Sequence, residues 1–462
     1  MSADLCFINA AELLEGYRKH ELSPVEVTRA VLARIEKLNP VLNAFCVVSD
    51  HALQDAKASE ARWLAGQPRG LLDGVPVSIK DIILAKGWPT LRGSKTVDKN
   101  GPWNDDAPVS ARLREHGAVL LGKTTTPEFG WKGVTDSPLT GITRNPWNKD
   151  KTPGGSSGGA VAAVASGMGP VAIGTDGGGS IRIPCSFTGL FGLKPSFGRV
   201  PAWPLSPFGT VAHVGPVTRS VTDAALMLNV VALPDARDWH ALPFDPRDWR
   251  TGLDQGIQDL RIAFSPDLGY AKVDAEIAAV VRDALRAFTD LGAKVEEKNP
   301  GFENPEPIFR AHWFSAAAFL LTTVKDKKLV DPGLLEVAAQ GEKITAHELL
   351  DAQMKRGALG AHMNLFHRDY DLLVTPTLAV AAFDAGKEFP EGRKRWIDWT
   401  PFTFPFNLTQ QPAASIPCGF TKTGLPVGLH LVGPRYNDAL VLRAARAFES
   451  VRPIRTPDLS KL

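Results

Sequence analysis

The chain has 462 residues, of which 44% are hydrophobic and 22% charged, with a formal net charge of +2 at pH 7. These values are those of a soluble globular protein long enough to bury a large core. The small net charge argues against nucleic acid or an anionic membrane surface as the main partner. Length alone allows two or three domains, although large α/β enzymes often form one. Cys6, Cys46, Cys185 and Cys418 are scattered, with no CxxC pair, which reads as reduced thiols in a cytoplasm and not as a disulfide framework. The opening MSADLCFINAAELLEGYRKH has no basic start followed by an apolar run, so no signal peptide is expected. No stretch approaches the apolar length of a membrane span.

Residues 9–38 read as two helices. Ala11, Leu13, Leu14 and Tyr17 give the first an apolar face. Ser23-Pro24-Val25-Glu26 opens the second as a capping box with proline at the first helical position, and Val27, Val31, Ile35 and Leu38 follow at helical spacing. In residues 74–81 (GVPVSIKD), Val75, Val77 and Ile79 alternate as in a strand, which puts Ser78 and Lys80 on the opposite face. Two environments stay open for Lys80. On an edge strand it is an ordinary solvated lysine; on a central strand it is buried, its pKa falls, and its neutral amine can act as a base.

Residues 106–125 predict a helix, a Gly117 stop and a strand. Residues 117–124 (GAVLLGKT) fit the phosphate-loop pattern GxxxxGK[ST]. That motif needs a strand, then a flexible loop, then a helix, whereas here the variable positions are themselves a hydrophobic strand. Nucleotide binding is therefore not expected. Residues 130–147 are loop-rich and lead into a serine-bearing stretch, so Phe129, Gly130 and Trp131 either line a pocket or take part in ordinary packing.

That stretch, residues 152–184, reads TPGGSSGGAVAAVASGMGPVAIGTDGGGSIRIP. Its glycines leave backbone N–H groups free to approach a ligand, with a serine hydroxyl held among them. Val161, Val164, Val171 and Ile173 are spaced to be buried, which argues against a flexible linker. Residues 154–158 (GGSSG) match the nucleophile elbow GxSxG, but no hydrophobic strand precedes them and His213 reads as a half-buried, satisfied histidine. Ser180 is the better nucleophile. It ends a turn, Thr175 to Ser180, at the end of a buried strand, and three consecutive glycines allow amide N–H groups to converge on one oxygen. Asp176 and Arg182 flank that turn.

Beyond residue 230 the chain reads as scaffold. Residues 232–259 are an exposed connection; 260–264 a strand, 274–292 an amphipathic helix and 293–297 a second strand, a unit added to the same sheet. Trp313, Phe314, Phe319 and Leu320 fall on a helix, as core or as pocket wall. Thr345 to Glu348 opens a further helix with a capping box. Residues 371–376 and 428–432 are strands, 383–400 a polar surface loop near the site mouth carrying Trp399, and 438–449 a closing helix.

Taken together, GVPVSIKD (74–81), TPGGSSGGA (152–160), GTDGGGSIRIP (174–184), GLFGLKPSFGRV (189–200), GPVTRSVTDAALML (215–228) and GLPVGLHLVGP (424–434) resemble the amidase signature hydrolases. The motifs run in that family's order and cover most of the chain. The resemblance implies an α/β fold, a large twisted mixed β-sheet covered on both faces by α-helices. It implies one domain over 1–462, with a signature core at about 70–230 and further sheet, helix and pocket elements at about 260–450. It implies a Ser–cis-Ser–Lys triad: Ser180 as nucleophile, Ser156 after a non-proline cis peptide as the middle serine, and Lys80 as base. Backbone N–H groups of Gly177, Gly178, Gly179 and Ser180 would form the oxyanion hole, supported by Ser157, Asp176 and Arg182.

The implied reaction is C–N bond hydrolysis through an acyl-enzyme, without metal or cofactor, on a small-molecule amide or carbamate. No nucleic-acid or membrane partner is implied, the location is cytoplasmic, and homodimers are common among relatives. Phe129, Gly130, Trp131, Trp313 and Trp399 are the pocket residues expected, which favours aryl amides and aryl carbamates over small aliphatic amides. Gly177, where many relatives carry a larger residue, is expected to loosen that part of the pocket. A second reading is the glutaminase component of a tRNA-dependent amidotransferase complex. That component usually has a run like EVKRRIMLGT and an Asp before its Pro-x-Asn segment. Here residues 354–359 (MKRGAL) match poorly and Thr400 stands where that Asp is expected.

Overall fold

Strands in which neighbouring residues are apolar on both sides must be covered on both faces, and the sheet is built from such strands. The computed structural model describes residues 4–462. Its main sheet comprises β1 (Phe45–Val48), β2 (Pro76–Lys80), β3 (Val119–Thr124), β4 (Val171–Asp176), β5 (Phe191–Lys194), β6 (His213–Thr218), β7 (Arg261–Phe264), β8 (Lys294–Glu297), β9 (Leu372–Pro376), β10 (Ala413–Phe420) and β11 (Pro426–Val432). The spatial order is β1-β3-β2-β4-β6-β5-β10-β11-β9-β7-β8. Parallel pairs (β2/β3, β2/β4, β7/β9, β7/β8) and antiparallel pairs make it a mixed sheet, so the expected fold class holds.

The two faces are chemically distinct. Val77, Ile79, Val171 and Ile173 point into one core with the helices Val221–Val231 and Asp438–Val451. Ala172 and Val217 point the other way, against the helices Gly158–Ala165 and Arg182–Thr188. The alternation in β2 therefore turns Lys80 toward the serine-bearing side. Its register, Ile79 opposite Ile173 and Lys80 opposite Thr124, places the parallel strand ends β2, β3 and β4 side by side. Ligand sites form at such carboxyl ends.

Residues 117–124 are helix stop and strand as expected, and Lys123 is committed inside the protein: its Nζ lies 3.0 Å from Asp81 and 2.8 Å from Thr90 Oγ1. The added unit β7–helix–β8 joins the same sheet in parallel, although its helix divides into Ala275–Ala284 and Arg286–Asp290. Two expectations need correction. Residues 383–400 are not simply a surface loop, because Trp396, Ile397 and Trp399 turn inward and are buried. Strand β10 was not expected at all; Pro417 and the small residues of AASIPCGF hide its alternation. Among the described residues no helix is long and apolar enough to cross a membrane.

The Asp81–Lys123 pair gives a test of this packing. Asp81→Ala strands a buried ammonium and is expected to cost about 3–5 kcal/mol. Asp81→Ala/Lys123→Met removes both charges and is expected to cost less than the single change. Denaturant unfolding of the two variants checks this, and a double variant as unstable as the single contradicts it.

Candidate active site

Three segments meet at the strand ends: Lys80 closes β2, Ser156 and Ser157 precede the helix Gly158–Ala165, and Ser180 ends the turn after β4. The serine segments are tied together by Ser157 N–H, which donates to the Ser180 carbonyl at 3.1 Å. The peptide between Gly155 and Ser156 is cis. Gly155 admits no side chain, since a Cβ there would lie 2.5 Å from the Val134 backbone.

Lys80 is fully buried. Its Nζ lies 2.7 Å from Ser156 Oγ, 2.8 Å from Thr175 Oγ1 and 3.0 Å from Ser157 Oγ. No carboxylate touches it among the described residues. Burial holds its amine well below the usual lysine range, with only the charge of Asp176 pulling the other way. Ser157 Oγ donates to the Thr175 carbonyl at 3.1 Å, so toward Lys80 it can only accept. Thr175 is a site residue that sequence reading missed. Its one signal was its place directly before Asp176 at the strand end.

The turn itself is held by a buried ion pair. Asp176 receives Arg182 Nε and Nη2, each at 2.9 Å, and Asn407 Nδ2 at 2.8 Å. Burial alone would push the Asp176 carboxyl up, but the Arg182 guanidinium and these donors hold it far below the usual range. Asp176 also accepts the N–H of Gly179 at 2.8 Å and of Ile181 at 3.2 Å. The expected set of four oxyanion donors is thereby divided. Gly179 N–H is committed to Asp176, whereas the N–H groups of Gly177, Gly178 and Ser180 have no acceptor among the described residues. Ser180 is 6% exposed, and its hydroxyl makes no hydrogen bond, to Ser156 or elsewhere, among the described residues.

Ser156, Thr175, Gly177 and Ser180 open onto one cavity. Its walls are largely apolar, with Ile82, Phe129, Trp203, Leu205, Phe208 and Trp313 among them, and Arg92 is its one arginine among the described residues. Of the expected pocket residues, Phe129, Gly130 and Trp313 line it, and Trp131 and Trp399 do not. Trp131 is buried behind the wall, where its carbonyl accepts from Trp313 Nε1 at 3.1 Å and so positions that ring. Trp399 is core, stacked on Phe187 with ring centroids 5.7 Å apart. Being aromatic and near the site in sequence did not reveal which way these rings face. Gly177 does not loosen the pocket either, because Trp313 fills the space: a Cβ at Gly177 would lie 2.9 Å from that ring. Trp313 in turn stacks on Phe208, centroids 4.0 Å apart. His213 is buried with Nδ1 2.8 Å from the Val211 carbonyl, and its Nε2 has no partner among the described residues, so it is not the satisfied histidine expected.

Core and wall should separate on mutation. Trp399→Ala is expected to lose about 3–5 kcal/mol of stability, with little change in KM for whatever substrate survives assay. Trp313→Ala is expected to change KM several-fold at a smaller relative cost in kcat. Equal KM effects from the two would contradict the assignment of Trp399 to the core.

Comparisons with known proteins show the family of the chain. The Amidase family model matches residues 26–442. The chain is 40% identical to an acylamidase of Rhodococcus erythropolis, over 97% of this chain and 96% of that one. It is 36% identical to the A component of the glutamyl-tRNA(Gln) amidotransferase of Myxococcus xanthus (strain DK1622), over 95% of each. Among solved structures, a bacterial aryl acylamidase of the amidase signature enzymes superposes with a TM-score of 0.90 at 34% identity, covering 97% of this chain and 96% of that one. The chain belongs to the amidase signature family of hydrolases.

Proposed function

We propose that this protein is a stand-alone hydrolase of aryl amides, with aryl carbamates as related substrates, acting through a Ser180–Ser156–Lys80 triad and an acyl-enzyme. The observation that carries the reading is the 2.7 Å approach of a fully buried Lys80 amine to Ser156 Oγ, in a cavity that Ser180 shares. A neutral amine has two N–H donors and one lone pair. Ser157 can only accept from it, Thr175 takes the second donor, and the lone pair is left for the Ser156 proton. Ser156 then accepts the proton of Ser180 as Ser180 attacks the carbonyl carbon. The oxyanion is held by N–H groups of Gly177, Gly178 and Ser180, each such donor being worth about 3 kcal/mol in comparable sites. Ser156 returns a proton to the leaving nitrogen, which departs as the amine. Water adds to the acyl-enzyme by the same relay and releases the acid. Asp176 and Arg182 hold the donor turn in shape.

The aryl preference rests on the apolar wall that includes Phe129, Trp313 and Phe208, together with the acylamidase relatives. We read residues 70–230 and 260–450 as one catalytic unit, since strands from both share the sheet. The second reading, the glutaminase of an amidotransferase complex, is favoured by the amidotransferase relatives. Against it, Thr400 is buried with its hydroxyl on the Trp396 carbonyl, and no acid stands in its place. Asp238, the acid lining the cavity, accepts the N–H groups of Ala202 and His240.

The test is hydrolysis of p-nitroanilides, aryl carbamates and glutamine by the purified chain beside Ser180→Ala. Cleavage of anilides that falls by at least about a thousandfold in the mutant, with an acyl mass adduct on Ser180 during turnover, is the expected result. Activity on glutamine alone, or only with a partner protein, would move the assignment to the amidotransferase. Full activity in Ser180→Ala would overturn the triad.

A further inference from the structure

One charged side chain in the catalytic cavity has no role in the relay. Arg92 lines the cavity beside Ile82, Ile83 and Phe129. Its guanidinium makes no hydrogen bond and no ion pair among the described residues, and its Nε is buried without a partner. The backbone beneath it is firmly held: the Arg92 carbonyl accepts Phe129 N–H at 2.7 Å, and Arg92 has a left-handed φ of 57°. Asp81, the one carboxylate whose charge reaches Arg92, is paired with Lys123 at 3.0 Å. The cavity's own acid, Asp238, accepts two backbone N–H groups and forms no ion pair with Arg92 or any other side chain among the described residues, and burial keeps the His213 imidazole neutral. Burial also lowers the Arg92 guanidinium below its usual range, against a smaller pull from Asp81.

A guanidinium has five N–H donors and cannot escape its charge by losing a proton. Leaving it largely buried and unpaired in an apolar wall is costly unless something arrives to pair with it. What arrives in this cavity is substrate. Planar, bidentate carboxylates are the natural complement of a guanidinium.

We propose that Arg92 is an anion subsite of the catalytic pocket, and that the preferred substrates are aryl amides bearing a carboxylate. This rests on the amidase reading above and narrows its substrate class. The carboxylate can belong to the acyl part or to the amine part. Two matched pairs distinguish these sources: succinanilate against butyranilide places the charge on the acyl side, and 4-acetamidobenzoate against acetanilide places it on the amine side.

For each pair the ratio of kcat/KM, charged over neutral, is measured in the wild type and in Arg92→Met, Arg92→Gln and Arg92→Lys; comparing ratios between enzymes cancels the intrinsic reactivity of each anilide. In at least one pair the ratio is expected to fall by about tenfold or more in Arg92→Met and Arg92→Gln, the scale of one charged hydrogen bond. Arg92→Lys is expected to keep part of the preference, which a purely structural role for the side chain would not produce. Ratios unchanged in all three variants for both pairs overturn the anion subsite while leaving the amidase reading intact. Failure of the wild type to cleave any of the four anilides contradicts both.

Discussion

The site depends on one electrostatic constraint: the amine of Lys80 is buried at the end of a central strand, among hydroxyls and, among the described residues, with no carboxylate touching it. A lysine next to an acid would stay charged and could not accept a proton. Here the three nearest polar atoms are Ser156 Oγ, Ser157 Oγ and Thr175 Oγ1, which can solvate a neutral amine but do little to neutralise a charged one. The surrounding architecture serves this placement. The helix Gly158–Ala165, built of small residues, packs against the strand that ends in Lys80.

The opposite arrangement stands one residue beyond Thr175. Asp176 is equally buried but is tied to Arg182, and through Arg182 to Asn407, His430 and the Thr403 carbonyl. Its charge is thereby retained and its geometry set, so that the turn presents the N–H groups of Gly177, Gly178 and Ser180, without acceptors among the described residues, beside the Ser180 hydroxyl. Two neighbouring buried charges are treated in contrary ways, one deprived of a partner and one given several, which is how acid–base and scaffold roles divide in a shared low-dielectric region. Arg92 fits neither pattern. Among the described residues it has no carboxylate partner, as Lys80 has none, but it cannot shed its charge, which is why it reads as half of an interaction completed by a ligand.

Much of this was legible in the residues, and for physical reasons. The alternation of Val75, Val77 and Ile79 placed Lys80 on the face opposite those residues, and the glycine runs marked backbone that had to come close to something. What could not be read was the third dimension. Whether β2 was central or at an edge depended on β3 and β4 flanking it, which local pattern does not encode. Asn407 reaches Asp176 across 231 positions, so its role had no local signature. Trp131 and Trp399 show the reverse error: aromatic side chains near catalytic segments suggested a pocket, but one ring lies behind the wall and the other in the core. Gly177 was read as space, and the ring of Trp313 occupies it.

The relay stands or falls on Lys80 being neutral at working pH, and the amine itself can be titrated. With lysines labelled at the ε-carbon, the NMR resonance of Lys80, assigned by its absence in Lys80→Met, is followed from acid to alkaline pH. The expected midpoint lies well below the ordinary lysine value of 10.5. A Lys80 resonance that stays in the charged position up to its ordinary midpoint would contradict the proposed mechanism, since a protonated amine cannot take the proton on which the relay depends.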